Sequence, residues 1–163
     1  SSWARGQAWA IYGYTACFRE TNDSIFLNFA KDIADMIMDR VKTEDAIPYW
    51  DYDAPVTKET PRDVSAASVT ASAMIELSTM VPDGQKYLDY AEKILKSLSS
   101  DAYLAKVGDN QGFILMHSVG SLPNGSEIDT PLNYADYYYL EALKRFMELK
   151  KLRVENGELR VRI

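Results

Sequence analysis

Cysteine and histidine are nearly absent from this chain: Cys17 and His117 are the only ones in 163 residues. A lone cysteine cannot close an intrachain disulfide, and one cysteine with one histidine falls short of a zinc ligand set. No metal or cofactor is therefore expected. Positive charge is also scarce. Against 24 Asp and Glu stand 18 Lys and Arg, a formal net charge of −6. That disfavours a nucleic-acid partner, because phosphate backbones need a basic patch. One local arginine can still hold a small anion. No apolar run reaches the roughly 18 residues that span a membrane, and no secretory leader is visible. A leader would lie upstream of Ser1, so the compartment, cytoplasmic or periplasmic, stays open.

What is abundant is tyrosine, with 11 copies. Tyr and Trp join a flat apolar face to a polar tip, which suits sugar-binding clefts and is also accepted in helical cores. The length corresponds to about one domain. Most of the chain reads as helix. A first helix covers 5–20. After Thr21-Asn22-Asp23, a helix start signal, Ile25, Phe29, Ile33, Met36 and Ile37 recur at helical spacing and predict one buried face. Thr43–Pro61 is a long loop carrying Trp50, Asp51 and Asp53. A third helix, rich in Ala and Ser, runs from about Arg62 to Met80. Pro82-Asp83 opens a fourth, with Tyr87, Ala91, Ile94, Leu95 and Leu98 on one face. Residues 101–132 form a second long loop, and a fifth helix begins near Asn133, carrying Tyr134, Tyr137, Tyr138, Tyr139, Leu140, Leu143 and Phe146; its tyrosine cluster is expected as inner-helix core rather than a binding box. A short hairpin about Asn156-Gly157 or disorder is expected for the tail.

The odd-numbered helices are small-residue or aromatic-rich and start roughly 60–70 residues apart, as repeated helical hairpins would. The even-numbered ones are amphipathic covers. The expected fold class is therefore all-α: half of an α/α barrel with alternating inner and outer helices. Loops at the N-termini of the inner helices would converge on one end, where helix dipoles favour anions.

Three constellations carry candidate chemistry. The first is Trp3-Ala4-Arg5-Gly6-Gln7-Ala8-Trp9. Arg5 can clamp a carboxylate bidentately while Trp3 or Trp9 stacks on a sugar face; alternatively the Trp rings are core and Arg5 pairs with a structural acid. The second is Asp51 and Asp53 with Asp63. Two carboxylates two residues apart can act as acid and base, but such acids more often fix loops, and Asp63 before a Ser-Ala-Ala run has the form of a helix N-cap. The third is the loop from His117 through Ser121, Asn124 and Ser126 to Asp129, whose hydroxyls and amides suit a hydroxylated or sulfated ligand. Its Pro-Asn-Gly is also a turn in its own right. His117 is either an acid–base group or a hydrogen-bonded loop anchor.

Taken together, four ordered segments resemble the unsaturated glucuronyl hydrolases, glycoside hydrolase family 88. They are the Trp3–Trp9 motif followed by Tyr12-Gly13-Tyr14, then Pro48–Pro55, Pro61–Ala67, and His117–Leu143. Gly6-Gln7-Ala8 favours this family over the related unsaturated rhamnogalacturonyl hydrolases, which typically carry Gly-Asn-Gly there. The resemblance implies an (α/α)6 barrel, with residues 1–153 as its C-terminal half and 154–163 as a tail. It implies release of unsaturated glucuronic acid from glycosaminoglycan oligosaccharides made by polysaccharide lyases. In that chemistry an Asp protonates the C4=C5 double bond, water adds at C5, and the resulting hemiketal opens, unlike two-carboxylate displacement.

Residue by residue, Trp3, Arg5 and Trp9 match the family's substrate-contacting motif, and Ser121 and Asn124 fall in its late recognition loop. Some members recognise sulfate there with a Ser, Ser, Lys pattern, whose Lys this chain does not have. The family's catalytic Asp pair belongs to the preceding half of the barrel, so no catalytic residue is assigned here and the isolated chain is expected to be inactive. An unsaturated oligosaccharide is the expected partner. Self-association, or contact with the missing N-terminal half, is expected because half a barrel exposes apolar surface. The competing reading is a non-catalytic carbohydrate-binding or scaffold module on the same helices.

Overall fold

The computed structural model describes residues 1–157. Its helices are α1 (Ala4–Thr21), α2 (Ser24–Arg40), α3 (Val64–Ser78), α4 (Gln85–Leu98) and α5 (Asn133–Glu155). The centre is α3, with 14 of its 15 residues buried. Its Ala, Ser and Thr side chains are small enough for α1 and α5 to flank it closely while α4 packs behind. Hydroxyls that would be costly to bury are satisfied locally: Ser68 donates to the Val64 carbonyl at 2.9 Å and Ser78 to that of Ile75 at 2.6 Å. The outer helix α2 covers α1. Three inner helices in a row with two outer covers make an arc of an α/α barrel, as the alternation predicted.

Helix ends follow local capping. Asp23 accepts from the Ile25 N–H at 3.0 Å, and Asp63 accepts from that of Ser65 at 3.0 Å, each satisfying an orphan donor of a first turn. The face expected on α4 is buried in full: Tyr87, Ala91, Ile94, Leu95 and Leu98.

Four expectations are corrected. Ile25 and Phe29 are 52% and 47% exposed, Phe29 meeting only the Tyr14 ring of α1 among the described aromatic pairs, at 5.3 Å; the buried residues of α2 are Ala30, Ala34 and Ile37. On α5, Tyr137 and Leu140 are likewise exposed, at 60% and 51%. The 101–132 loop contains an antiparallel hairpin, β1 (Ser118–Ser121) with β2 (Ser126–Thr130), pairing Val119 with Ile128 and Ser121 with Ser126. Its strands are short and polar, so no alternation announces them. Finally, Val154 and Glu155 close α5 rather than opening a tail hairpin; residues 158–163 lie outside the described part.

Loops converge at the N-terminal ends of the inner helices. The Ala4 N–H donates to the Trp50 carbonyl at 3.0 Å, that of Asp63 to Pro48 at 2.9 Å, and that of Val64 to His117 at 3.1 Å. At α5, Asp136 accepts from the Ile114 and Leu115 N–H groups at 2.8 and 2.9 Å. The two long loops are thereby stitched to one end of the arc.

Candidate functional site

Arg5 organises this end. It lies in the first turn of α1 and is 4% exposed. Its Nη1 donates to Asp63 Oδ2 at 3.1 Å, to Ser65 Oγ at 3.0 Å and to the Val119 carbonyl, while Nη2 donates to the Gly120 carbonyl at 2.7 Å. One guanidinium thus joins α1, the α3 cap and β1. Asp63 is fully buried and also accepts from Ser65 Oγ at 2.5 Å and the Val119 N–H at 3.4 Å. Burial pushes its carboxyl pKa up, and the Ser65 hydroxyl, the Arg5 charge and the Val119 N–H only partly oppose this. Carrying the α3 cap and the Arg5 pair together, Asp63 takes the loop-fixing role, one of the two open to it.

Above this network is a cleft. Trp3, Trp50 and the Gly120–Pro123 turn line a cavity of about 260 Å³, just under the usual size of a small-molecule site. Trp3 is 40% exposed, and the Arg5 guanidinium sits 4.4 Å from its ring centroid. The second ring over Arg5 is Tyr134, at 5.2 Å. Trp9 stands elsewhere. It meets Tyr138 edge-on at 5.0 Å and Tyr12 at 6.2 Å on the inner face. Positions 3 and 9 straddle the helix start and point differently, so of the two rings only Trp3 lies over Arg5.

Of the five site residues expected from sequence, the structure brings Trp3 and Ser121 into one cavity and sets Arg5 beneath it. Asn124 lies on the hairpin turn and donates to Ser121 Oγ at 2.8 Å. Trp50 and Tyr134 are the additions. Trp50 was visible as an aromatic in a long loop; nothing in the sequence tied Tyr134 to Arg5.

The acids near the cleft are occupied. Asp51 is buried and accepts from the Ser1 hydroxyl, the Ser2 N–H at 3.1 Å and the Asp53 N–H at 2.8 Å. Burial raises its pKa, but these donors outweigh burial and hold it below the ordinary carboxylate value. Asp53 pairs with Arg40. His117 Nδ1 lies 2.6 Å from Asp129 Oδ1, and its ring meets Tyr103 edge-on at 6.2 Å. Among the described residues no cluster of three or more His, Cys, Asp or Glu is placed to hold a metal.

Comparison with known proteins bears on this geometry. A family model described as glycosyl hydrolase family 47 matches residues 6–150. An unsaturated glucuronyl hydrolase of Formosa agariphila is 47% identical over 150 residues, 91% of this chain. A crystal structure of an unsaturated glucuronyl hydrolase specific for heparin superposes with a TM-score of 0.89 at 61% identity over 91% of this chain. The family labels differ, and identity at this level along nine-tenths of the chain decides between them. The chain belongs to the glycosyl hydrolases, within the unsaturated glucuronyl hydrolase family. Another member, from Bacillus sp. GL1, described as responsible for the degradation of glycosaminoglycan, superposes with a TM-score of 0.82 at 32% identity, covering 96% of this chain. As an unsaturated glucuronyl hydrolase family member the chain is partial in extent: it spans 37% of the Formosa relative and 40% of each of the two crystal structures.

Proposed function

We propose that this chain forms a sugar-binding wall of an unsaturated glucuronyl hydrolase site. The whole enzyme acts on glycosaminoglycan oligosaccharides from lyases, hydrating the C4=C5 bond of the terminal unsaturated glucuronate. The observation that carries the reading is the Trp3–Trp50–Ser121 cleft set on the Arg5 network. Trp3 offers a ring face to the pyranose. Ser121 and Asn124 supply a hydroxyl and an amide to its oxygens. Arg5, its charge paired with the buried Asp63, supports the cleft from beneath by holding the Val119 and Gly120 carbonyls that shape the turn. Trp9, with Tyr12 and Tyr138, extends an aromatic wall along the inner face. There Tyr12 donates to Glu141 at 3.1 Å. Burial and the Glu141 charge raise the Tyr12 phenol to about 12, so it stays a neutral donor at physiological pH.

The hydration step needs an acid free to deliver a proton to C4. Asp51 and Asp63 are tied to loops and to Arg5, so this chain alone binds without turning over. The test follows loss of absorbance of the conjugated double bond when the pure chain meets an unsaturated chondroitin or heparin disaccharide. Titration of the same sugar into wild type and Trp3→Ala runs in parallel. Binding that depends on Trp3 without turnover is the expected result. Robust turnover would overturn the inactive-chain reading, and absence of binding would overturn the cleft assignment. A non-catalytic binding module is the second reading, favoured by the engagement of both acids.

We also propose that the chain self-associates through α5. Tyr137, Leu140 and Met147 are 60%, 51% and 69% exposed on that helix, an apolar display that monomers seldom carry.

A further inference from the structure

A second cavity is larger than the Trp3 cleft. It lies between the C-terminal end of α2 and the 41–62 loop, with a volume of about 420 Å³, inside the usual range for small-ligand sites. Three cations line it, Arg40, Lys42 and Arg62, together with the rings of Tyr49 and Tyr52. In a chain of net charge −6, three cations gather at one cavity, each paired with an acid outside the lining: Arg40 with Asp53, Lys42 with Asp39 and Arg62 with Asp45. The one acid in the lining, Asp51, has its carboxylate engaged by Ser1, Ser2 and the Asp53 N–H.

The arginines are held in place without being used up. Arg62 lies 4.4 Å from the Tyr49 ring centroid and donates through Nη1 to Asp45 at 3.4 Å and to the Ile47 carbonyl at 2.5 Å. Arg40 donates through Nη2 to the Tyr52 carbonyl at 3.1 Å and to Asp53. A guanidinium has five N–H donors, so each fork keeps donors for a ligand. Lys42 pairs with Asp39 at 3.2 Å where both are well exposed; such a pair is weak and yields readily. Preorganised cations beside aromatic and aliphatic surface match a ring that carries a negative group. The 48–52 loop is a partition: Tyr49 and Tyr52 line this cavity, whereas Trp50 lines the Trp3 cleft.

We propose that this cavity is a second carbohydrate site that takes an anionic pyranose through Arg40, Lys42 and Arg62, with Tyr49 as ring platform. The sugar assignment rests on the carbohydrate reading above. Either a uronate carboxylate or a sulfate ester supplies the charge.

The test is an amide chemical-shift titration of the full chain with methyl glucuronide, glucose 6-sulfate, methyl glucoside and inorganic sulfate. One or both anionic sugars should shift Lys42, Tyr49 and Val56, and which of them does so identifies the source of the charge. The neutral glucoside should not. Lys42→Glu should weaken the effect by about tenfold or more, and Tyr49→Ala should weaken it for the sugars, while Trp3→Ala should leave it intact. Silence at these residues with both anionic sugars overturns the proposal. So do equal shifts from the neutral sugar, equal shifts from inorganic sulfate, or persistence of the shifts in a folded Lys42→Glu variant. An unsaturated disaccharide that fails at Ser121 while these shifts survive would remove the cleft reading instead.

Discussion

Arg5 Nη1 and Asp63 Oδ2 meet at 3.1 Å with both side chains buried, 5% and 0% exposed. This pair joins the first turn of α1 to the cap of α3, and the same guanidinium holds β1 through the Val119 and Gly120 carbonyls. Removing one partner of a buried pair strands the other charge, at a cost of roughly 3–5 kcal/mol. Arg5→Ala should therefore lower stability by that order, read by urea denaturation. Arg5→Lys should recover only part, because one ammonium cannot span all four acceptors. Wild-type stability in Arg5→Ala would refute a structural role for the pair.

Gly120 is the second point of tension. A Cβ there would fall 1.9 Å from Glu127 Oε2 and 2.6 Å from Glu127 Cβ. Gly120→Ala should push β2 off β1, costing about 1–3 kcal/mol as overpacking does, and weaken sugar binding at Ser121. By contrast, a Cβ at Gly13, inside α1, meets nothing within 4 Å. Gly13→Ala should stabilise by about 0.5–1 kcal/mol. Thermal melts of the two variants should move in opposite directions.

Asp45 sets an acid limb. Burial raises its pKa, but the Tyr103 hydroxyl, the Ile47 N–H and the Arg62 charge outweigh burial and bring it below the ordinary carboxylate value. Tyr103 donates to Asp45 Oδ2 at 2.5 Å. A folded pKa below the unfolded one contributes stability that is present above the unfolded value, about 4, and lost as pH falls through the folded value. Denaturation midpoints should drop on acidification below about pH 4, and less steeply in Asp45→Asn. An unchanged slope in that variant would rule out Asp45 as the source.

Self-association should be visible by sedimentation velocity as species larger than a monomer. Leu140→Lys with Met147→Lys should shift the distribution toward monomer while circular dichroism keeps its helical signal. A wild-type chain that sediments only as a monomer over a broad concentration range would remove the proposal.

Much of this protein was legible along the chain because it is written in local chemistry. Helical period, capping by Asp23 and Asp63, and the small residues of α3 predicted the helices, their inner and outer roles and the end on which the loops meet. The Trp3–Trp9 motif pointed to the family. Tertiary structure decided what those residues do. Trp9 meets Tyr12 and Tyr138, and the second ring over Arg5 comes from Tyr134, some 130 positions away in sequence. Ile25 and Tyr137 carried the apolar pattern of buried residues yet stand exposed, since periodicity marks a face without saying whether a neighbour covers it. The β1–β2 hairpin went unseen because its strands are short and polar and β1 is anchored by Arg5 and Asp63 from more than 50 residues away. Spacing encodes which side chains share a helix face; only the packed chain determines which distant partners meet a buried charge.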